Sequence, residues 1–92
     1  MEIAQIRYFL AVCAEQNFSA AARACRVSQP TLSVAIRKLE QEFGQKLFER
    51  QPIRLTEFGQ RIRPHFSDIM RAIEQVSTMA EVESAAALRR TG

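Results

Sequence analysis

Gln29, Ser33 and Arg37 lie four residues apart, a spacing that sets an amide, a hydroxyl and a guanidinium in one row along a helix. Pro30, Thr31, Val34, Lys38 and Gln41 flank that row, and no carboxylate intervenes before Glu40. Such a face can make hydrogen bonds and carries positive charge, which is the chemistry needed against a polyanion. Catalytic chemistry finds no counterpart. His65 stands alone in a helical stretch without a nucleophile or carboxylate set around it, so no catalytic residue is assigned. Cys13 and Cys25 lack CxxC spacing and have no histidine near enough to complete a zinc set. They read as small buried hydrophobes, and neither a metal nor a cofactor is expected.

The charge is unevenly spread. Residues 23–63 carry nine Lys or Arg against four Glu, a local excess of +5, whereas the rest of the chain amounts to −2. A basic middle segment suits a polyanion, although such a stretch also serves as plain solvated surface. With 92 residues, 47% of them hydrophobic and 25% charged, the chain is long enough for one small globular domain with a thin core. No apolar run approaches the roughly 20 residues needed to cross a bilayer, and the opening MEIAQIRYFL lacks a basic leader and cleavage site. A cytoplasmic protein with no membrane partner is expected.

Four helices and a hairpin must position the polar row. Ile3, Ile6, Phe9, Leu10, Val12 and Cys13 form one apolar stripe and predict a first helix from Ile3 to about Gln16. Ser19 is the expected N-cap of a short second helix over 20–25, whose alanines allow a close crossing. Ser28 caps a third helix, with Pro30 in its first turn, Leu32, Ala35, Ile36, Leu39 and Phe43 as its apolar stripe, and Gly44 as its C-cap. KLFERQPIRLT then reads as a short β-hairpin with Pro52 at its turn. Thr56 caps a last helix from Glu57 to about Leu88, roughly 48 Å long, in which Pro64 should introduce a bend.

Ile62, Phe66, Ile69, Ile73, Val76, Ala80 and Ala87 repeat at alternating steps of four and three along that last helix, with Glu83 as the one interruption. A heptad stripe this long exceeds what a three-helix body can cover, so Ile62, Phe66, Ile69, Ile73, Val76 and Ala80 are expected to form a dimer interface. Ala22, Cys25, Val27, Leu32, Ala35 and Ile36 have the spacing of a helix-turn-helix, which props the third helix outward with its first turns able to enter a major groove. A basic hairpin after that helix is the arrangement by which winged proteins reach the neighbouring minor groove, making Arg50 and Arg54 candidates there. The fold expected is mainly α: a winged helix-turn-helix, with a three-helix core and a β-hairpin wing, followed by a long dimerisation helix.

IRYFLAVCAEQNFSAAARACRVSQPTLSVAIRKLEQEFGQKLFER followed by RLTEFGQRI resembles the N-terminal domain of the LysR-type transcriptional regulators, from the first residue to beyond Phe66. The resemblance implies a winged helix-turn-helix over 1–56 and a linker helix with tail over 57–92. It also implies a larger C-terminal effector-binding domain that is absent from this chain. Linker helices in such regulators pair antiparallel in a homodimer, and the full-length protein can be a tetramer. A small-molecule effector would act only through the absent domain.

Carried over by position, Gln29, Pro30, Thr31, Ser33, Val34 and Arg37 become the base-reading set of the recognition helix. Gln29 suits adenine, Arg37 suits guanine or a phosphate, and Pro30 and Val34 suit thymine methyls. Ser19, Ser28, Lys38, Arg50 and Thr56 are expected at phosphates, with Arg54 at the minor groove, although Ser19, Ser28 and Thr56 have the competing role of helix caps. The chain departs from the family pattern at Val34 and Ala35, where a polar pair is common. It departs again in its short wing, and at Phe58, which replaces a small residue and is expected to pack on the first helix or the wing. The function implied is sequence-specific binding of double-stranded DNA by a homodimer on an interrupted inverted repeat. The alternative is a helical protein-interaction module that binds no DNA.

Overall fold

The computed structural model describes residues 1–91, with elements in the order α1 (Ile3–Glu15), α2 (Phe18–Ala24), α3 (Gln29–Phe43), β1 (Phe48–Arg50), β2 (Ile53–Leu55) and α4 (Glu57–Thr91). Gln5 starts the assembly: its Oε1 accepts from the Glu2 N–H at 2.6 Å and its Nε2 donates to the Ala35 carbonyl at 3.3 Å. One buried amide thus closes the first turn of α1 and ties it to the middle of α3. Gln16, in the left-handed region at φ 54°, ends α1.

The cap of α2 is Asn17, not Ser19. Asn17 takes an extended backbone and its Oδ1 accepts from Ala20 N at 2.7 Å, which places Ser19 one residue inside the helix. Both residues have the chemistry of a cap, and the one that leaves the chain extended before the helix wins. Ala21 and Ala22 are buried where α2 crosses its neighbours. Arg26, at φ 59°, reverses the chain, and the Val27 N–H bonds the Ala22 carbonyl at 3.0 Å. Ser28 caps α3 as expected, accepting from Thr31 N at 3.2 Å, and Gly44 at φ 65° closes it.

β1 and β2 pair antiparallel in the register Phe48↔Leu55, Glu49↔Arg54, Arg50↔Ile53, turning through a cis Gln51–Pro52 bond. Three pairs are too few to hold a hairpin alone in water. Leu47 and Phe48 anchor it by burying their side chains in the core. Thr56 then caps α4, its Oγ1 accepting from Gly59 N at 3.0 Å. Gly59 lies so close to the wing that a Cβ there would collide with the Leu47 carbonyl and with Leu55 Cδ2.

All six phenylalanines join one chain of rings through the body. Phe18 meets Phe48 at 5.8 Å between centroids, Phe48 meets Phe9 at 5.3 Å, and Phe9 meets Phe66 edge-on at 5.1 Å. Phe66 continues to Phe43 at 6.4 Å, and Phe43 to Phe58 at 5.8 Å. Phe58 thus reaches the end of α3 through Phe43 and packs against the core. Phe66 is only 2% exposed and belongs to this core, with Ile62 packed against it, so the first two positions of the heptad stripe are covered within the chain. α4 continues as helix through Pro64 and three residues past the expected end.

Three substitutions check this packing and capping by thermal or urea unfolding. Phe66→Ala should cost about 3–5 kcal/mol, the value for removing a buried aromatic ring. Asn17→Ala should cost about 1 kcal/mol and Ser19→Ala less than about 0.5 kcal/mol, the reverse of the order expected were Ser19 the cap.

Candidate nucleic-acid interface

The N-terminal half of α3 is presented outward by the crossing of α1 and α2 beneath it. Gln29, Pro30, Thr31, Val34, Arg37 and Lys38 are exposed, Val34 at 43%, while Ser33 is half-buried. Leu32, Ile36 and Leu39 on the opposite side are buried, which fixes the rotation of the helix. The outward residues are partly organised before any partner arrives. Gln29 Nε2 donates to Ser33 Oγ at 2.6 Å, which extends its amide along the helix and leaves Oε1 to accept. Ser28 Oγ donates to Thr31 Oγ1 at 2.8 Å, so its proton is engaged inside the cap.

The phosphate candidates divide. Ser19 is exposed in the first turn of α2, and Lys38 and Arg54 are exposed as well. Thr56 is half-buried, and its hydroxyl donates to the Lys46 carbonyl at 2.6 Å while accepting from Gly59 N. Its single proton is thereby committed, and the residue joins β1's approach to α4 rather than facing outward. Arg50 is tethered: its guanidinium bonds Glu40 Oε1 at 2.9 Å and lies 4.7 Å from the centre of the Phe18 ring.

Glu40 is the residue that sequence reasoning missed. Its side chain is 10% exposed, and its other oxygen accepts from Leu47 N at 2.7 Å and Phe48 N at 3.4 Å. The carboxylate thus caps the entry to β1 from the last turn of α3. Two backbone donors and one guanidinium satisfy a charge that would otherwise be costly to enclose. Its pair with the partly exposed Arg50 is worth at most about 1 kcal/mol, so the consequence is geometric. Partners seven to ten residues away along the chain leave no local pattern to read.

Surface hollows border α3 on both sides. Toward the wing, Phe18, Gln29, Ser33, Arg37, Arg50 and Ile53 line one that contains two guanidiniums. Toward α1, Pro30, Val34 and Ala35 line a more apolar one, rimmed by Lys38 and Glu2. Farther out on α4, Ile69 and Ala80 are exposed and Ile73 half-buried, while Val76 reaches 65% and Met79 66%. Met79 and Val82, also exposed, lie off the heptad stripe and were not anticipated.

Residues 3–60 match the family described as bacterial regulatory helix-turn-helix protein, lysR family. The chain belongs to this family. BudR of Klebsiella aerogenes, an HTH-type transcriptional regulator, is 47% identical over 62 residues, covering 65% of this chain and 43% of that protein. ClcR of Pseudomonas putida, another such regulator, is 41% identical over 91 residues, covering 97% of this chain and 30% of that protein. The chain therefore spans less than half the length of these relatives. Among solved structures, the BenM_DBD/benA site 1 DNA complex superposes with a TM-score of 0.84 at 34% identity, covering 91% of this chain and 97% of that one. Full-length OxyR C199D from Pseudomonas aeruginosa superposes with a TM-score of 0.86 at 37% identity, covering 89% of this chain and 28% of that one.

The two thiols of this LysR-family domain sit apart from the outward face. Burial pushes the Cys13 thiol up from its ordinary value, with Arg63 opposing, and burial does the same to Cys25, with Arg7 opposing. A raised thiol pKa means less thiolate, the reactive form, at any pH below it. Iodoacetamide should therefore label Cys13 more slowly in the folded domain than in urea at pH 8, and the gap should narrow as pH rises. Equal rates at pH 8, followed by mass spectrometry, would contradict the packing described.

Proposed function

We propose that this chain is the DNA-binding domain of a transcription regulator and binds specific sequences in double-stranded DNA. The observation that carries this reading is the outward face of α3. Its first turns project from the body on a fixed rotation, with amide, hydroxyl, apolar and cationic groups side by side. A helix presented this way fits a major groove about 12 Å wide. Gln29, Pro30, Thr31, Ser33, Val34 and Arg37 read base edges, Ser19, Lys38 and Arg50 contact phosphates, and Arg54 on β2 enters the minor groove. Two copies pair through the outer stripe of α4, at Ile69, Ile73, Val76 and Ala80, to address the two halves of an inverted repeat. Residues 57–92 serve as the linker to an effector-binding domain in the intact regulator, whose activity responds to a small molecule held there. The relatives' descriptions as transcriptional regulators support this reading, as does the likeness to a LysR-family domain solved with DNA.

Selection from random duplexes tests it directly, since a protein-interaction module enriches no sequence. With about four phosphate contacts per subunit, log K for the dimer should fall with log salt at a slope near about −7. Gln29→Ala should relax preference at one position of the selected site, whereas Arg54→Ala should weaken binding chiefly where the flanks are A·T-rich. Val76→Glu should yield monomers in sedimentation without loss of fold, because that side chain is 65% exposed in the single chain. Dimers that survive this change would move the interface elsewhere.

A further inference from the structure

We infer that Glu40 is a positioning residue, holding Arg50 so that the hollow between α3 and the wing takes one backbone phosphate of the duplex. This rests on the duplex-binding reading above and adds a residue to it. Arg50 has five N–H donors in a planar fork. One amino group is fixed on Glu40 Oε1 at 2.9 Å, and the central carbon, Cζ, lies over the Phe18 ring at 4.7 Å to its centre. Two constraints on one guanidinium leave it little rotational freedom, while its side chain remains 40% exposed. Arg50 lines a hollow whose other wall carries Arg37, Ser33 and Gln29. The free donors of a fixed fork suit a tetrahedral anion carrying one charge, and a phosphodiester at the edge of the major groove brings that anion to this place.

Glu40 is itself held by the chain, through Leu47 N at 2.7 Å and Phe48 N at 3.4 Å. The carboxylate therefore fixes the Arg50 fork of β1 relative to α3. Removing its charge should leave the wing in place, since an amide oxygen still accepts from Leu47 N, but should release Arg50 to rotate.

The test is a scan of the selected duplex with single neutral methylphosphonates, run on the wild-type chain, Glu40→Gln and Arg50→Ala. One position per half-site should cost the wild type about tenfold in affinity, as expected for a lost hydrogen bond to a charged group, and should cost Arg50→Ala nothing. Glu40→Gln should lose most of that same penalty while keeping slow exchange of the Leu47 amide and a melting temperature within about 8 °C of the wild type, the most that loss of its pair with Arg50 gives. Each variant is compared with itself on two duplexes, so any general gain from deleting a carboxylate cancels. A full tenfold penalty retained in Glu40→Gln overturns the positioning role alone. So does a penalty spread evenly over all phosphates. Failure of the wild-type chain to bind any selected duplex overturns the duplex reading, and this role with it. Inorganic phosphate at millimolar concentration should not protect Arg50 from phenylglyoxal, whereas the duplex should. Protection by phosphate alone would make the hollow a free-anion site and overturn the proposal.

Discussion

The edge-on contact of Phe66 with Phe9 decides the architecture, because it joins the long helix to the body that carries the polar face. The Thr56 cap, the close approach of Gly59 to Leu47, and the contacts of Phe58 and Phe66 with Phe43 seat the start of the same helix on the hairpin and α3. Rings from α1, α2, α3, β1 and α4 thus form a continuous path. A body this small has few other ways to enclose enough apolar area. The rings are large and stiff, so each element's position limits its neighbours'. Phe43 and Phe48 join α3 and the wing to that path, while the buried Leu32, Ile36 and Leu39 set the rotation of α3.

Periodicity made much of this legible. Apolar residues at helical spacing delimit α1 and α3 to within a residue or two, and Pro52 flanked by alternating Ile53 and Leu55 marks the hairpin. What periodicity does not reveal is which body covers an apolar stripe. Phe66 and Val76 lie on the same heptad stripe, yet one is enclosed by Phe9 and Phe43 and the other is open. The difference lies in the distance of each from the end of the helix that meets the body. Glu40 was opaque for a related reason: its partners Leu47, Phe48 and Arg50 reach it only once β1 folds back beside α3. Asn17 and Ser19 show a third limit, since two residues with cap chemistry stand two positions apart and backbone conformation chooses between them.

Capping and outward contact draw on the same hydroxyls. Ser28 and Thr56 each donate their proton inside the fold, to Thr31 and to Lys46, whereas Ser19, relieved of capping by Asn17, lies exposed in the first turn of α2. A short polar side chain next to a helix start has one hydrogen to give, so its structural role and any role toward a partner compete. The long cations escape this competition, and Lys38 and Arg54 extend into solvent from rigid elements. Arg50 is the intermediate case, a cation partly claimed by the fold.

Beyond Ile69, α4 extends to Thr91 as a single helix, an arm of roughly 33 Å at 1.5 Å per residue. An arm seated at one end on an aromatic ring acts as a lever. A tilt of about 10° at the seat displaces the far end by roughly 6 Å for an arm of this length, nearly two base-pair steps along a duplex. In the paired form proposed above, the mutual angle of two such arms would set the span between their DNA-facing bodies, and a small change in the seat's packing would be converted into a different gauge.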